Sequence, residues 1–359
     1  MSNRLLLFML IPCFFLSPAR SQVTAVSDDT APIVRRVPAE FEKHEATWMQ
    51  WPRLFEASYR NDFAGIIKAL QPYEPINIIV LNNSERDKAR TFLHDHGVTD
   101  QNISFHIMPY NWAWMRDNGP VWVEENNTLT IQDWKFDAWG GIVRPWGKDD
   151  AVPAVLADDL DIPYRDLAVQ IVERGSLEFN GVDTVILSWP VQHDRNPGWS
   201  KAHMERLFKR VWGVKKIVWL LSAPKEDAFT GGHVDGIARF INTTTVAVVR
   251  QQPGEKDAQV YEQAAKIIKR AGFKVVRLDI PGEIKYKGIM MSAEYINWLV
   301  ANGVVIVPGF NMPEWDEQAA NKIRKFFPDR DVRVVDIREI WYWGGGVHCV
   351  TNDQPAIGN

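Results

Sequence analysis

The chain has 359 residues, of which 46% are hydrophobic, and its formal net charge is −4 at pH 7. This length is enough to build a full hydrophobic core for one large domain or two ordinary ones. The nearly balanced charge and the lack of a long basic run argue against a nucleic-acid partner.

Residues 1–21 have the pattern of a secretory signal peptide. A positive end at Arg4 is followed by an apolar stretch and by a small-residue cleavage site ending at Ser21. The stretch is too short to span a membrane, and no later run is long enough, so we expect no membrane partner. The alternatives are a buried N-terminal strand or an uncleaved anchor. We therefore predict a secreted or periplasmic protein with a disordered lead-in at 22–36 and a single catalytic domain at 37–359.

From Val37 onward, apolar and β-branched runs alternate with helix-like segments. Five runs recur with a period of about 55–60 residues, which is typical of radial or stacked repeats. The runs are Ile76–Leu81, Thr128–Ile131, Thr184–Leu187, Thr245–Val249 and Val304–Val307. A second strand usually follows each helix, and the last one, Asp331–Glu339, is predicted to be buried. The pattern predicts five α/β modules, and a closed ring is one arrangement that the spacing permits.

The residues with reactive side chains follow the same repeat. Asp117, His233 and Cys349 each come after the second strand of a module and are equally spaced along the chain. Glu173 has the matching position in the second module, and Asn297 lies near the matching position of the fourth module. In a closed ring of five modules, these side chains would converge on one central pocket.

Cys349 is the candidate nucleophile. The only other cysteine, Cys13, lies in the predicted signal peptide, so the mature chain has no internal disulfide partner for Cys349. Three glycines at 344–346 allow the backbone to turn sharply beside a ligand. The alternative is a buried and inert thiol. The neighbouring His348 would face the opposite side of a strand, and we interpret it as structural.

Two other segments carry candidate polar groups. Asp117 precedes Asn-Gly-Pro at a predicted strand end, and the flanking Trp112 and Trp114 offer ring faces suited to a cation. The alternative is that Asp117 only forms a turn. His233 and Asp235 alternate along a segment predicted to be extended, so both side chains point the same way, as an acid–base pair or as metal ligands. Third and fourth ligands at suitable spacing are missing, so we predict no metal.

Several familiar site motifs are missing from the chain, among them the phosphate-binding GxxxxGK[ST], a GxGxxG after a strand and the GxSxG elbow. We therefore predict no cofactor. A thiol, a histidine and several carboxylates suggest covalent catalysis. Carboxylates raise the pKa of a neighbouring thiol, which hinders a nucleophile unless the substrate itself is a cation. A guanidinium, clamped by two carboxylates, would meet this requirement.

Motifs along nearly the whole mature chain resemble the agmatine deiminase and bacterial-type peptidylarginine deiminase family of guanidine-modifying enzymes, in the pentein superfamily. The matching segments are PAEFE at 38–42, TWMQWP at 47–52, RDNGP at 116–120, FDAWGG at 136–141, RNP at 195–197, GHVDG at 232–236, YIN at 295–297 and GGGVHC at 344–349. The resemblance implies a five-bladed pseudo-symmetric α/β propeller, which agrees with the repeat.

The resemblance also implies roles for particular residues. Cys349 would be the nucleophile, His233 the general acid and base, and Asp117 and Asp235 the carboxylates that bind the guanidinium. The implied substrate-binding residues are Trp114, Glu173, Asn297 and Gly346. One segment departs from the family, which usually reads Glu-Gly-Gly-Ser-Ile-His. Here Arg174 replaces a glycine and Glu178 replaces the histidine, which affects the expected contacts with the substrate tail.

The resemblance implies a metal-free hydrolase that converts a guanidinium into a ureido group and ammonia through a covalent intermediate on Cys349. Agmatine is the favoured substrate, giving N-carbamoylputrescine in putrescine biosynthesis. The alternative is a secreted protein-arginine deiminase, which suits the signal peptide, or an enzyme acting on free arginine. An amidinotransferase and a catalytically inactive guanidine-binding protein are more remote. The expected partner is a small cationic guanidine or an arginine-containing peptide, and the oligomeric state is not predicted.

Overall fold

The computed structural model describes residues 33–227 and 229–358. The chain from Val34 onward forms one compact unit, while the predicted signal peptide and most of the predicted lead-in lie outside the described residues. The lead-in prediction is wrong for Arg35 and Arg36. These residues pair with a strand of the first sheet, and their guanidinium groups bond Glu125 and Glu124 at 2.8 and 2.6 Å.

The structure is mixed α/β, and its elements are numbered in chain order. The strands are β1 (Arg35–Arg36), β2 (His44–Gln50), β3 (Ile76–Val80), β4 (Ile103–Ile107), β5 (Val121–Glu125), β6 (Thr128–Lys135), β7 (Tyr164–Ile171), β8 (Leu177–Phe179), β9 (Thr184–Ser188), β10 (Lys216–Leu220), β11 (Ala238–Asn242), β12 (Thr245–Arg250), β13 (Lys274–Asp279), β14 (Glu283–Tyr286), β15 (Ile289–Ser292), β16 (Leu299–Ala301), β17 (Val304–Gly309), β18 (Asp331–Asp336) and β19 (Asn352–Pro355).

The helices connect these strands and cover the sheets. They are α1 (Arg60–Leu70), α2 (Asn83–Asp95), α3 (Met115–Asn118), α4 (Ala138–Gly141, a single irregular turn), α5 (Val152–Leu160), α6 (Trp189–Arg195), α7 (Lys201–Trp212), α8 (Ala258–Arg270), α9 (Pro313–Phe326) and α10 (Arg338–Tyr342). Three 3-10 turns lie at Leu54–Tyr59, Arg174–Ser176 and Val234–Gly236. Within the part of the chain that the structure describes, none of the helices combines the length and the apolar character needed to span a membrane.

Four of the five main sheets repeat one plan. A first strand pairs antiparallel with a second, and the second pairs parallel with a third that is reached through a helix. The sheets are β5-β6-β7 with β1 added at its edge, β8-β9-β10, β11-β12-β13 and β16-β17-β18. This is the repeat that the spacing of apolar runs predicted. A separate two-stranded hairpin, β14-β15, is inserted before the last of these sheets.

The fifth sheet joins the two ends of the folded chain. The C-terminal strand β19 pairs antiparallel with β2, so that Asn352 lies opposite Trp48 and Asp353 opposite Thr47, and β3 and β4 follow in parallel. The repeat analysis chose Ile76–Leu81 as the equivalent strand of this module, which is wrong, because β2 takes that place. The sequence of β2, HEATWMQ, has no long apolar run because it carries buried polar side chains, of which His44 and Thr47 contact Glu74.

The predicted buried strand at Asp331–Glu339 also differs from the structure. The strand β18 ends at Asp336, and α10 begins at Arg338. β18 lies at the edge of its sheet, and none of its side chains is fully buried. Its alternating valines suggested a core strand, but an edge strand has a neighbour on one side only.

The segments that enter the antiparallel strands of the five sheets meet one another. Helix α3 precedes β5, the turn Arg174–Ser176 precedes β8, the turn Val234–Gly236 precedes β11, residues 292–297 precede β16, and residues 344–349 precede β19. The turn Arg174–Ser176 contacts both α3 and the turn Val234–Gly236. Residues 344–349 contact Asp235 of that second turn through His348 and contact Asn297 through Cys349. The fold thereby brings residues that are far apart in the sequence to one place, as the propeller prediction required.

Candidate active site

Cys349 lines a cavity of about 320 Å³, and 8% of its surface is exposed. Its Sγ atom lies 3.3 Å from Nδ2 of Asn297 and 3.7 Å from Oδ2 of Asp235. The backbone before it passes very close to these groups. A Cβ atom at Gly345 would collide with the Trp114 ring and lie 3.2 Å from Sγ, and one at Gly346 would collide with Asn297. Both positions therefore require glycine, and both predicted supporting residues, Asn297 and Gly346, lie beside the thiol.

The environment of Cys349 holds it as a neutral thiol in the free protein. Burial raises the pKa of Cys349 well above its usual value, and the charges of Asp235 and Asp117 raise it further. Hydrogen bonds from the Gly346 N–H and from Asn297 act in the opposite direction but are smaller. A cation bound between the two carboxylates would offset their charge and so favour the thiolate.

His233 has one ring nitrogen held and one free. Its Nε2 lies 2.7 Å from Oε2 of Glu173. Its buried Nδ1 has no hydrogen-bond partner among the described residues and lies 3.6 Å from Oδ1 of Asp117. Burial lowers the pKa of His233, but the charges of Asp117, Glu173 and Asp235 outweigh it and raise the pKa to about 10. Nδ1 is therefore the nitrogen that can exchange a proton with a ligand.

The local structure around His233 differs from the prediction. His233 and Asp235 do not lie on an extended segment, because a 3-10 turn begins at Val234. The turn nevertheless directs both side chains to one point. A Cβ atom at Gly175 would lie 2.5 Å from His233 Nδ1 and 3.2 Å from Asp235 Oδ2.

Glu173 lies behind His233 and does not line the cavity. Its side chain is completely buried, and Oε1 accepts a hydrogen bond from Nε of Arg195 at 2.7 Å. The prediction of a substrate contact at Glu173 is thus replaced by a contact with the imidazole. A carboxylate at Nε2 sets the ring orientation and keeps a proton on that nitrogen.

Asp117 lies in helix α3. The prediction that it lies at a strand end is wrong. Its Oδ2 accepts a hydrogen bond from Nε1 of Trp139 at 2.9 Å, and its Oδ1 accepts one from the backbone N–H of Gly175 at 3.0 Å. Burial raises the pKa of Asp117 to about 6. Sequence reasoning did not single out Gly175 or Trp139. Trp139 lies in a segment that matches the family, whereas Gly175 lies in the segment that departs from it, and neither fact gave the contact with Asp117.

Asp235 and His348 form a pair. Oδ2 of Asp235 lies 2.7 Å from Nδ1 of His348. Burial raises the pKa of Asp235, but the hydrogen bond and charge of His348 outweigh it and keep the pKa below its usual value. The interpretation of His348 as facing away on a strand is wrong, because residues 347–350 form a turn. That turn aims the imidazole at Asp235.

Arg174 and Glu178, the two departures from the family pattern, lie beneath the site. Both guanidinium nitrogens of Arg174 donate to Asp353, at 2.7 and 2.9 Å. Glu178 accepts hydrogen bonds from Nε of Arg239 at 3.0 Å and from the backbone N–H of Phe240 at 2.7 Å. Neither residue lines the cavity. The departures therefore change a buried charged layer rather than the wall that faces a ligand.

The rest of the cavity is acidic. The titratable residues lining it, besides His233 and Cys349, are Asp227, Asp235, Glu226, Glu283, Glu294, Lys225, Lys256 and Tyr342. Both carboxylate oxygens of Glu226 are shielded from solvent and have no hydrogen-bond partner among the described residues. Burial raises the pKa of Glu294 to about 8, although Tyr261 and Ser292 donate to it. The cavity thus offers carboxyl groups to a second cation.

Trp114 was predicted to form a wall of the pocket, but it packs behind the residues that line the cavity. Its side chain is buried against Gly345 and stands edge-on to Trp139, with ring centroids 6.3 Å apart. It does not line the cavity. Within the described residues, no group of three or more His, Cys, Asp or Glu side chains is arranged to hold a metal ion.

Fold, sequence and comparison with known proteins together define a pentein-fold hydrolase of the class that acts on the C–N bonds of linear amidines. A sequence model of the family described as Porphyromonas-type peptidyl-arginine deiminase matches residues 36–355. The chain belongs to this family, and the resemblance noted in the sequence is confirmed.

Individual relatives agree with this assignment. The chain is 30% identical to an agmatine deiminase of Pseudomonas aeruginosa (strain LESB58), over 89% of this chain and 95% of that protein. Among solved structures, it is similar to the agmatine deiminase of Enterococcus faecalis, with a TM-score of 0.80 and 27% identity over 89% of this chain and 96% of that one. An agmatine deiminase of C. jejuni has a TM-score of 0.83 at 22% identity, covering 91% and 98%, and shows the shared fold.

Proposed function

We propose that this protein is an agmatine deiminase, which hydrolyses agmatine to N-carbamoylputrescine and ammonia. The observation that carries the proposal is a single acidic cavity with Cys349 and the free Nδ1 of His233 at one place and the unpartnered carboxylate of Glu226 at another. Agmatine is a small dication with a guanidinium at one end and an ammonium at the other. Asp235, which lines the cavity, would bind the guanidinium together with Asp117, which lies behind the lining at 3.6 Å from Nδ1 of His233. Glu226 would pair with the ammonium.

The proposed reaction follows from the charges of the site. The bound guanidinium neutralises Asp117 and Asp235, which favours loss of the Cys349 proton to solvent before attack. The Sγ thiolate attacks the guanidinium carbon. His233, protonated at neutral pH because its pKa is about 10, gives a proton from Nδ1 to the departing nitrogen, and ammonia leaves. A thiouronium remains on the enzyme.

The second half of the reaction uses the same groups. The now neutral Nδ1 of His233 takes a proton from a water molecule, whose oxygen attacks the thiouronium carbon. The C–S bond breaks, the carbon keeps the oxygen as a ureido group, and the proton still on that oxygen passes to Sγ, so that Cys349 regains its thiol. Glu173 holds the imidazole in the orientation that both proton transfers need.

A second candidate is a peptidyl-arginine deiminase. The description of the family names this activity, and an exported enzyme would meet arginine-containing peptides. We also propose that residues 1–21 direct export and are removed. N-terminal sequencing of the protein recovered from the periplasm or the medium tests this, and a mature chain that still begins at Met1 would contradict it.

Ammonia release from agmatine, free arginine and an N- and C-terminally blocked arginine peptide, measured side by side, tests the substrate. We expect kcat/KM for agmatine to exceed the others by at least about tenfold, since one favourable charge pair contributes roughly 1.4 kcal/mol or more. Glu226→Gln should remove most of this preference, and Cys349→Ser should show no turnover on any substrate. Equal or better turnover of the peptide would favour the second candidate.

A further inference from the structure

We propose that His348 is a positioning residue, whose buried imidazolium keeps Asp235 ionised and holds its Oδ2 beside Cys349. The inference rests on the proposed function, in which Asp235 binds the guanidinium of the substrate. His348 itself does not line the cavity. It acts on the reaction only through the carboxylate that it holds.

The hydrogen bonds of the ring define its protonation state. Only 2% of His348 is exposed, and both ring nitrogens face carboxylate oxygens. Nδ1 lies 2.7 Å from Oδ2 of Asp235, and Nε2 lies 2.7 Å from Oε2 of Glu40. A neutral imidazole carries one N–H, whereas the cation carries two. If both carboxylates are ionised, both contacts require the ring to donate, so the ring is a cation.

Glu40 is ionised because several donors surround it. Its Oε1 accepts from Nη2 of Arg239 and from the backbone N–H of Val300, each at 2.7 Å, and Nη2 of Arg116 lies 3.2 Å from Oε2. Burial raises the pKa of Glu40, but the charges of Arg239, His348 and Arg116 outweigh it and hold the pKa well below its usual value. Glu40 therefore accepts a hydrogen bond from the ring, so Nε2 of His348 carries a proton.

Asp235 makes the second contact from the side of the cavity. The 2.7 Å contact between Nδ1 of His348 and Oδ2 of Asp235 holds one proton. That proton belongs on the ring, because a carboxyl is ordinarily a stronger acid than an imidazolium and because His233 and Arg239, apart from His348, also act against burial to lower the pKa of Asp235. The charged and titratable groups that face Asp235 come from four elements of the fold. They are His348 and Cys349 in the turn after 346, His233 at the start of its own turn, Asp117 on α3 and Arg239 on β11. His348 makes the shortest of these contacts, at 2.7 Å, and the thiol of Cys349 lies 3.7 Å from the same oxygen.

The backbone holds the ring in this position. The N–H of His348 donates to Oδ1 of Asn297 at 3.0 Å, and its carbonyl accepts from Nε of Arg116 at 3.1 Å. The next residue is Cys349, so one turn places both the nucleophile and the cation against the same Asp235 oxygen. The cation partly offsets the carboxylate charge that opposes thiolate formation.

The role predicts a specific change in pH dependence. In His348→Gln the cation is lost, burial then dominates, and the pKa of Asp235 rises. A carboxyl with a raised pKa stays protonated up to a higher pH. At acidic pH the site therefore loses Asp235 as the second carboxylate that binds the guanidinium. In the wild type, Asp117 with its pKa of about 6 sets the acid limb of kcat/KM. In the variant this limb should shift to higher pH by at least about one unit. The kcat/KM of the variant should therefore be about tenfold lower than that of the wild type near pH 6 and should recover near pH 8.5.

The matched control is His44→Gln. His44 is also a buried histidine beside a carboxylate, with Nδ1 3.3 Å from Oε1 of Glu74, but it contacts no carboxylate of the site. We expect this variant to lose stability without any movement of the acid limb. A loss of kcat/KM by the same factor at every pH in His348→Gln, or an equal movement in His44→Gln, would overturn the proposal.

A measurement that needs no turnover separates this inference from the proposed function. In wild-type protein labelled with ¹⁵N-histidine, His233 and His44 should also have both ring nitrogens protonated at pH 7, because their pKa values are raised to about 10 and about 9. The doubly protonated signal of His348 should be absent from His348→Gln, remain in His233→Gln and His44→Gln, and shift in Asp235→Asn. The Asp235→Asn spectrum assigns the signal if His348→Gln fails to fold. A singly protonated His348 ring overturns the inference even if agmatine is hydrolysed. If the His348 ring is doubly protonated but the protein is inactive on every guanidine, the result contradicts the proposed function and not the protonation of His348.

Discussion

The contact between Glu173 and His233 determines how the candidate acid–base group behaves. Oε2 of Glu173 lies 2.7 Å from Nε2 of His233, and Arg195 holds the other carboxylate oxygen at 2.7 Å. Glu173→Gln keeps the size and shape of this side chain but removes its charge. Because Glu173 does not line the cavity, the substitution should act on the imidazole and not on substrate contacts.

The size of the effect follows from the kind of bond that is lost. A hydrogen bond to a charged group contributes about 1.5–3 kcal/mol, which corresponds to about one to two pKa units. The pKa of His233 is raised to about 10, since Asp117 and Glu173 together outweigh the opposing effect of burial. Without the Glu173 charge it should fall by about that one to two units. The ring is protonated below its pKa, so the variant loses its general acid at a lower pH than the wild type.

The assay is ammonia release from agmatine between about pH 6 and pH 10.5, with kcat fitted for each protein. The alkaline limb of Glu173→Gln should move down by about one to two units, and turnover at pH 7 should fall about 10- to 100-fold because the ring is less well oriented. Glu178→Gln is the matched control, since Glu178 is a buried carboxyl on the same segment that pairs with Arg239. An alkaline limb that stays in place in Glu173→Gln would refute the role of Glu173 in holding the imidazole.

Three further predictions concern Asp117 and Gly175 in the site and Arg174 in the buried charged layer beneath it. Asp117→Asn should abolish most turnover yet speed alkylation of Cys349 by iodoacetamide near pH 8, because a charge that raises the thiol pKa is gone; slower alkylation, followed by intact mass, would contradict this. Gly175→Ala should remove activity in a folded protein, since its Cβ would lie 2.5 Å from the imidazole; near-normal kcat would disprove the close packing. Arg174→Met should lower the free energy of unfolding by about 3 kcal/mol in urea titrations, because it leaves Asp353 with one buried partner fewer. Adding Asp353→Asn should recover part of the loss, and strictly additive losses would show that the pair is not coupled.

The sequence predicted the modules and the family correctly, for physical reasons that are local. Apolar, β-branched runs form strands wherever they are buried, so their recurrence revealed the repeat of β6, β9, β12 and β17. Glycines beside a reactive side chain mark places where the backbone must pass close to other groups, and this singled out the turn before Cys349. The identity of the reactive groups is a property of single residues, so it could be read without any coordinates.

The convergence of the five segments on one site and the partners of each buried charge were decided by the tertiary structure. Glu40 and His348 are 308 residues apart, and no local period encodes their contact. The strand β2 was missed because its polar side chains look solvent-exposed until their partners across the fold are known. Glu173 was assigned to the substrate by the family resemblance, since a matching motif gives the position of a residue but not the direction of its side chain. That direction depends on turns such as Val234–Gly236 and on the packing of five distant segments, which exist only once the chain has folded.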